Sequence, residues 1–181
     1  MEMPNVNPAT LDSEQLQNKK NIAQKKSAAN YAFYLGASND NLEAIKSLNP
    51  NDACGIKVFM GASTGNMLVD DPKILEQIFA NAPTLVATHC EDTPTILKNE
   101  AIFTEKYGED IPIRFHPDIR SEEACYLSSS FAVSLAQKHG TKLHVLHITT
   151  AKELELFNSA RHQDKQITAE VCVHHLSFDQ T

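Results

Sequence analysis

Apolar positions in this chain fall into two patterns. Short continuous runs, such as residues 84–88, 142–148 and 166–173, are bounded by glycine, proline or polar clusters and read as buried strands. Longer mixed segments between them open on capping residues and predict helices. Residues 1–8 form an extended start entering a turn, because each proline keeps its predecessor out of the helical region. Asp12 or Ser13 caps a helix to about Ala29, with Leu16, Ile22 and Ala23 as a modest apolar face. Residues 30–35, before Gly36, predict a strand, 41–48 a short helix, and Asn49-Pro50-Asn51 a turn into a strand around Lys57. Asp71-Pro72 caps and starts a helix to about Asn81, and Thr93-Pro94 repeats that signal for a helix to about Tyr107. An irregular loop over 108–120 follows. Ser121 with Glu122 and Glu123 opens a helix to about His139, stopped by Gly140. Thr150-Ala151-Lys152-Glu153 reads as a capping box starting a helix after the strand at 142–148. Alternating strands and helices predict right-handed βαβ units around a parallel sheet, an α/β fold.

At 181 residues and 41% hydrophobic, the chain is long enough for one domain with a sizeable core. Its net charge of −7 excludes nucleic acid as an expected partner, and Lys19-Lys20 and Lys25-Lys26 read as a solvated helix face. No apolar segment approaches the roughly 18 residues of a membrane span, and the start lacks a signal-peptide pattern. The expectation is therefore a cytoplasmic location and no membrane partner. Cys54, Cys90, Cys125 and Cys172 show no CxxC spacing and read as reduced, buried thiols rather than disulfides or a thiolate zinc site.

Candidate chemistry changes this picture at the strand ends. Lys57 sits within a short apolar run that leads into the small-residue loop 61–66. It either snorkels to a strand end or pairs with a carboxylate, or it is desolvated, with a depressed pKa that lets it act as a neutral amine. Such an amine can add carbon dioxide, giving a carbamate with two oxygens for metal ions. His89, His147 and His174-His175 each lie at the C-terminal end of a predicted strand, the edge where α/β folds build sites. One such histidine is commonly a hydrogen-bonded rim residue, whereas several converging with a lysine suit a borderline metal. Residues three apart on a strand point to opposite faces, so at most one of His144 and His147 faces the site, and His147 is nearer the strand end. His116, His139 and His162 read as surface residues. The loop 61–66 lacks the ending of a nucleotide-phosphate loop and reads as a substrate-side loop.

Gly55-Ile56-Lys57-Val58-Phe59-Met60-Gly61, Thr88-His89-Cys90-Glu91-Asp92, His144-Val145-Leu146-His147 and Glu170-Val171-Cys172-Val173-His174-His175-Leu176 resemble successive motifs of dihydroorotase and its cyclic-amidohydrolase relatives, allantoinase and hydantoinase. Met3-Pro4-Asn5-Val6-Asn7-Pro8 resembles the loop after their second barrel strand. The resemblance implies a partial (β/α)8 TIM barrel, about strands 3 to 7, with residues 1–181 forming one incomplete metal-dependent domain. It implies two divalent ions, usually zinc, bridged by hydroxide and a carboxylated lysine. Lys57 would be that lysine, His89 and His147 would ligate the second metal, and Asn5 would bind the substrate carboxylate.

The family pattern also has a His-x-His followed by arginine after the first strand and a catalytic aspartate after the eighth, which have no counterparts in this chain. The expectation is the central part of a dihydroorotase, reversibly converting dihydroorotate and water to N-carbamoyl-aspartate in pyrimidine synthesis, with this chain alone inactive. Its implied partner is that small-molecule substrate, and the family adds a homodimer. Alternatives are an allantoinase or hydantoinase, or a noncatalytic amidohydrolase-like scaffold.

Overall fold

A computed structural model describes residues 1–63 and 65–178. Helix α1 (Ser13–Lys26) leads to strand β1 (Tyr34–Gly36), helix α2 (Leu42–Lys46) and strand β2 (Gly55–Phe59). Helix α3 (Pro72–Asn81), strand β3 (Val86–His89), helix α4 (Thr93–Tyr107) and the short helix α5 (His116–Ile119) follow. Helix α6 (Glu122–His139), strand β4 (Leu143–Val145) and strand β5 (Ile167–Ala169) complete the order.

The five strands form one parallel sheet in the order β1-β2-β3-β4-β5. Sequential order without reversal sends each crossover the same way, so the helices gather on one side. That side holds the main core. Leu35, Ile56, Val58, Val86, Leu143 and Val145 from the strands pack with Leu16, Leu75, Ile78, Phe79, Ala132 and Leu135 from the helices. Each fully buried aliphatic side chain of this kind contributes roughly 1.5–3 kcal/mol. The other side carries a small cluster of Tyr34, Ala87 and Leu146. Glu2 pairs in parallel with Phe33, so the first residues run beside β1. Among the described residues no helix is long and apolar enough to cross a membrane.

Capping chemistry sets the helix ends. Asp71 accepts the amide of Lys73 at 2.7 Å, and Ser121 Oγ accepts that of Ala124 at 3.3 Å. Gly140 closes α6 in the left-handed region at φ 70°. Three expectations need correction. Asp92, not Thr93, caps α4, because its carboxylate takes the amide of Thr95 at 3.0 Å and its hydroxyl at 2.6 Å. The loop 108–120 contains α5. The capping box at Thr150 starts only the single 3-10 turn Lys152–Leu156: Glu153 reaches back to Thr150, but its other oxygen takes Ser129 Oγ at 2.5 Å.

The strands at 142–148 and 166–173 are also shorter than their apolar runs, and His174 and His175 lie in the 3-10 turn Val173–Leu176 rather than at the end of β5. His116 and His162 are exposed, whereas His139 is half-buried, 3.4 Å from Glu76.

Candidate metal centre

Strand register assembles the site. Gly36, Lys57, Ala87, His144 and Thr168 form one row across the sheet, and Phe59 pairs with His89 one step nearer the C-terminal ends. Alternation along the strands therefore puts Lys57, Phe59, His89 and His144 on the face away from the helices. Lys57 is 2% exposed. Its Nζ donates to the carbonyl of Val58 at 3.2 Å, lies 4.3 Å from the centre of the Phe59 ring, and makes no ion pair among the described residues. Burial pushes its pKa down to about 7, with Cys90 and Glu170 opposing weakly. Lys57 is thus the desolvated amine, not a snorkelling or paired one.

His89 Nδ1 and His147 Nε2 meet at 3.0 Å. His147 gets there through backbone, not strand parity. Leu146 still bonds to Thr88 and Ile148 to Glu170, while His147 between them adopts φ 37°, a left-handed conformation uncommon for a residue with a Cβ. His144 consequently shares the face of Lys57 by register without excluding His147. It binds Thr168 Oγ at 2.8 Å and Glu170 at 3.2 Å, deeper along the sheet.

The other ring nitrogen of His89, Nε2, lies 2.9 Å from Glu91 Oε2, which also accepts from Arg120 Nη1. A carboxylate at Nε2 holds the proton there and leaves Nδ1 with a lone pair, the arrangement that orients a ligating imidazole. Burial pushes Glu91 up, but the hydrogen bonds from His89 and Arg120 and the Arg120 charge outweigh it and hold Glu91 below its ordinary value. Burial, then the neighbouring His89, lowers His147, favouring neutral imidazole. Gly61 permits this packing: a Cβ there would lie 2.4 Å from the carbonyl oxygen of Glu91.

The donor set fits a divalent metal. Two nitrogens bound to zinc at about 2.0–2.1 Å with a tetrahedral angle stand roughly 3.3 Å apart, a few tenths of an ångström from the separation observed. A cavity of about 260 Å³ opens beside the pair, lined also by Glu91, Cys125, Glu153, Cys172, His174 and His175. Asn5 is exposed, in the loop after Glu2; Pro4 of that loop packs against Gly36 at the C-terminal end of β1. In the small-residue loop, Asn66 is tied to Asn39 and Asp40 beyond β1. Thr64 lies outside the described residues.

Glu91 and Arg120 carry no sequence signal that marks them as site residues. Glu91 stands two residues past His89, but Arg120 arrives from the loop before α6, and no spacing rule links them. All four cysteines are free, with Cys90 and Cys125 buried and Cys54 and Cys172 half-buried.

By fold, the chain is similar to solved hydantoinase structures. The protein is similar to L-hydantoinase from Arthrobacter aurescens with a TM-score of 0.82 and 23% identity, over 94% of this chain and 38% of that one. The sheet is thus an arc of a TIM barrel. By sequence the resemblance to dihydroorotase extends along the whole chain. Identity is 31% over 176 residues with the Pyrococcus furiosus dihydroorotase, and 29% over 181 residues with that of Methanosphaera stadtmanae. An allantoinase of Bacillus velezensis is 29% identical over 182 residues. Dihydroorotases predominate over allantoinases among these relatives. The chain spans 35–41% of the length of the two dihydroorotases while 97–100% of it is matched. No family model matches it.

Proposed function

We propose that this chain carries the lysine and imidazole side of the metal site of a dihydroorotase, which reversibly hydrolyses dihydroorotate to N-carbamoyl-aspartate in pyrimidine synthesis. The observation that carries the reading is the 3.0 Å approach of His89 Nδ1 and His147 Nε2 on the sheet face that buries Lys57.

His89 and His147 would hold one divalent ion, zinc by the donor type, and a carboxylated Lys57 would bridge to another. Such ions polarise the ring carbonyl and supply a nucleophile at neutral pH. Lys57 is suited to carboxylation because burial brings its pKa down to about 7, so that a sizeable share of the amine is neutral near neutral pH. The amine nitrogen bonds to the carbon of CO2, a C=O π bond opens, and the nitrogen loses a proton to solvent, leaving one negative charge shared by two oxygens. Glu91 fixes the tautomer of His89, and Arg120 fixes Glu91. Asn5 would hydrogen-bond the carboxylate of the substrate from the loop beside β1.

Assaying the gene product that carries this chain on dihydroorotate, allantoin and hydantoin tests the reading. The expected outcome is chelator-sensitive turnover of dihydroorotate, abolished by His147→Ala. Turnover of allantoin or hydantoin in preference to dihydroorotate would overturn the assignment.

A further inference from the structure

The same cavity carries a second group of donors that the hydrolase reading does not use. Cys172, His174 and His175 lie in and just before the 3-10 turn Val173–Leu176, and one ligand atom from each falls within 4.8 Å of the others. The local backbone brings them together. The amide of His175 bonds back to the carbonyl of Cys172 at 3.0 Å, closing the turn so that the side chains three residues apart meet on one side. The His174 and His175 rings stand edge to face with centroids 4.1 Å apart.

We propose that Cys172, His174 and His175 form a binding site for a borderline divalent cation such as zinc, separate from the His89–His147 pair. One thiolate and two imidazoles are the donor types that zinc selects, and three protein ligands leave a fourth position for water or a small ligand. All three side chains line the cavity that His89 and His147 also line, so that fourth position can open into it. What engages the donors is local to the turn: the Cys172 side chain accepts the His175 amide. The only hydrogen bond to the His175 ring among the described residues is a long one, 3.4 Å from the Cys172 amide to Nδ1. Glu153, the nearby carboxylate of the cavity wall, has both oxygens engaged by Ser129 and Thr150, and so leaves this site to the sulfur and nitrogens. Binding forms a metal–sulfur bond and breaks the S–H bond of Cys172, releasing one proton to solvent.

Cobalt(II) titration of the purified protein tests this, because thiolate-to-cobalt charge transfer gives a near-ultraviolet band that imidazole ligation alone does not. The expected result is one such band, retained in the His89→Ala/His147→Ala double variant and lost in Cys172→Ser and in His174→Ala. Both single changes are at half-buried or exposed positions, and a far-ultraviolet circular dichroism spectrum confirms that the fold persists. Zinc affinity at this site, read by competition with a chromophoric chelator in the double variant, should fall in Cys172→Ser by more than the roughly 10- to 100-fold that losing an outer partner of a ligand costs. Absence of the band in the unaltered protein, or its survival in Cys172→Ser, overturns the inference. Either result leaves the His89–His147 reading standing, since that site is scored separately by cobalt bound without a thiolate band.

Discussion

Replacing Lys57 by methionine should stabilise the metal-free fold at neutral pH, against the usual expectation for a core substitution. In the unfolded chain the amine keeps its ordinary pKa of 10.5; in the fold burial brings it to about 7. Each pKa step of one is worth about 1.4 kcal/mol, so holding this group inside costs roughly 5 kcal/mol at pH below both values. The sign follows from proton counting. Between pH 7 and 10.5 the unfolded state binds more protons than the fold, so stability rises with pH across that window. The penalty is fully present below pH 7 and fades as pH approaches 10.5. Methionine is unbranched like lysine, one heavy atom shorter and uncharged, and a nearly shape-conserving swap costs under about 1.5 kcal/mol. The net gain for Lys57→Met is then about 3 kcal/mol at pH 7, shrinking to nothing or a small loss near pH 10. Urea unfolding of both proteins at pH 7, 8.5 and 10, with chelator and in CO2-depleted buffer, measures it. A variant less stable than the parent at pH 7, or a difference that stays flat with pH, would refute the reasoning. Either would mean that the amine keeps its proton at ordinary affinity, and the case for a carboxylatable lysine would go with it.

Glu91→Gln keeps the shape beside His89 but removes the charge that pairs with Arg120 and orients the ring. Zinc affinity at the His89–His147 pair should drop on the order of 10- to 100-fold by isothermal titration calorimetry. Gly61→Ala forces its Cβ to within 2.4 Å of the Glu91 carbonyl unless the backbone moves. Its unfolding free energy in urea should fall by about 1–3 kcal/mol, with zinc affinity falling alongside as Glu91 is displaced. In the metal-free protein the His147 imidazole should titrate below its ordinary value of 6.5 when followed by NMR. The fold then binds fewer protons than the unfolded chain just below that pH, and His147 makes stability decline as pH falls through 6.5.

Backbone chemistry made much of this fold legible. Asp71-Pro72 and the Ser121 to Gly140 span gave helix ends within a residue of those found, because caps satisfy particular amides and a left-handed stop needs glycine. Strand ends were harder. An apolar run records burial, whereas a strand ends where its ladder of hydrogen bonds does, and the run at 142–148 outlasts β4 at both ends. The same distinction governs the site. Lys57 and His89 could be placed by alternation because both lie within paired strands. His147 lies past the last paired residue of β4, where alternation ceases to apply and one positive φ decides where the ring goes. The parity rule that sets His144 against His147 therefore rests on a premise that fails past the strand end. Residues positioned by loops were further from reach: Arg120 meets Glu91 only because the turns between α4 and α6 fold back over the strand ends. A strand rim gathers donors because regular pairing stops there and side chains are freed from alternation. Sequence periodicity therefore locates the rim, while the aim of each imidazole depends on individual backbone angles and on partners distant along the chain.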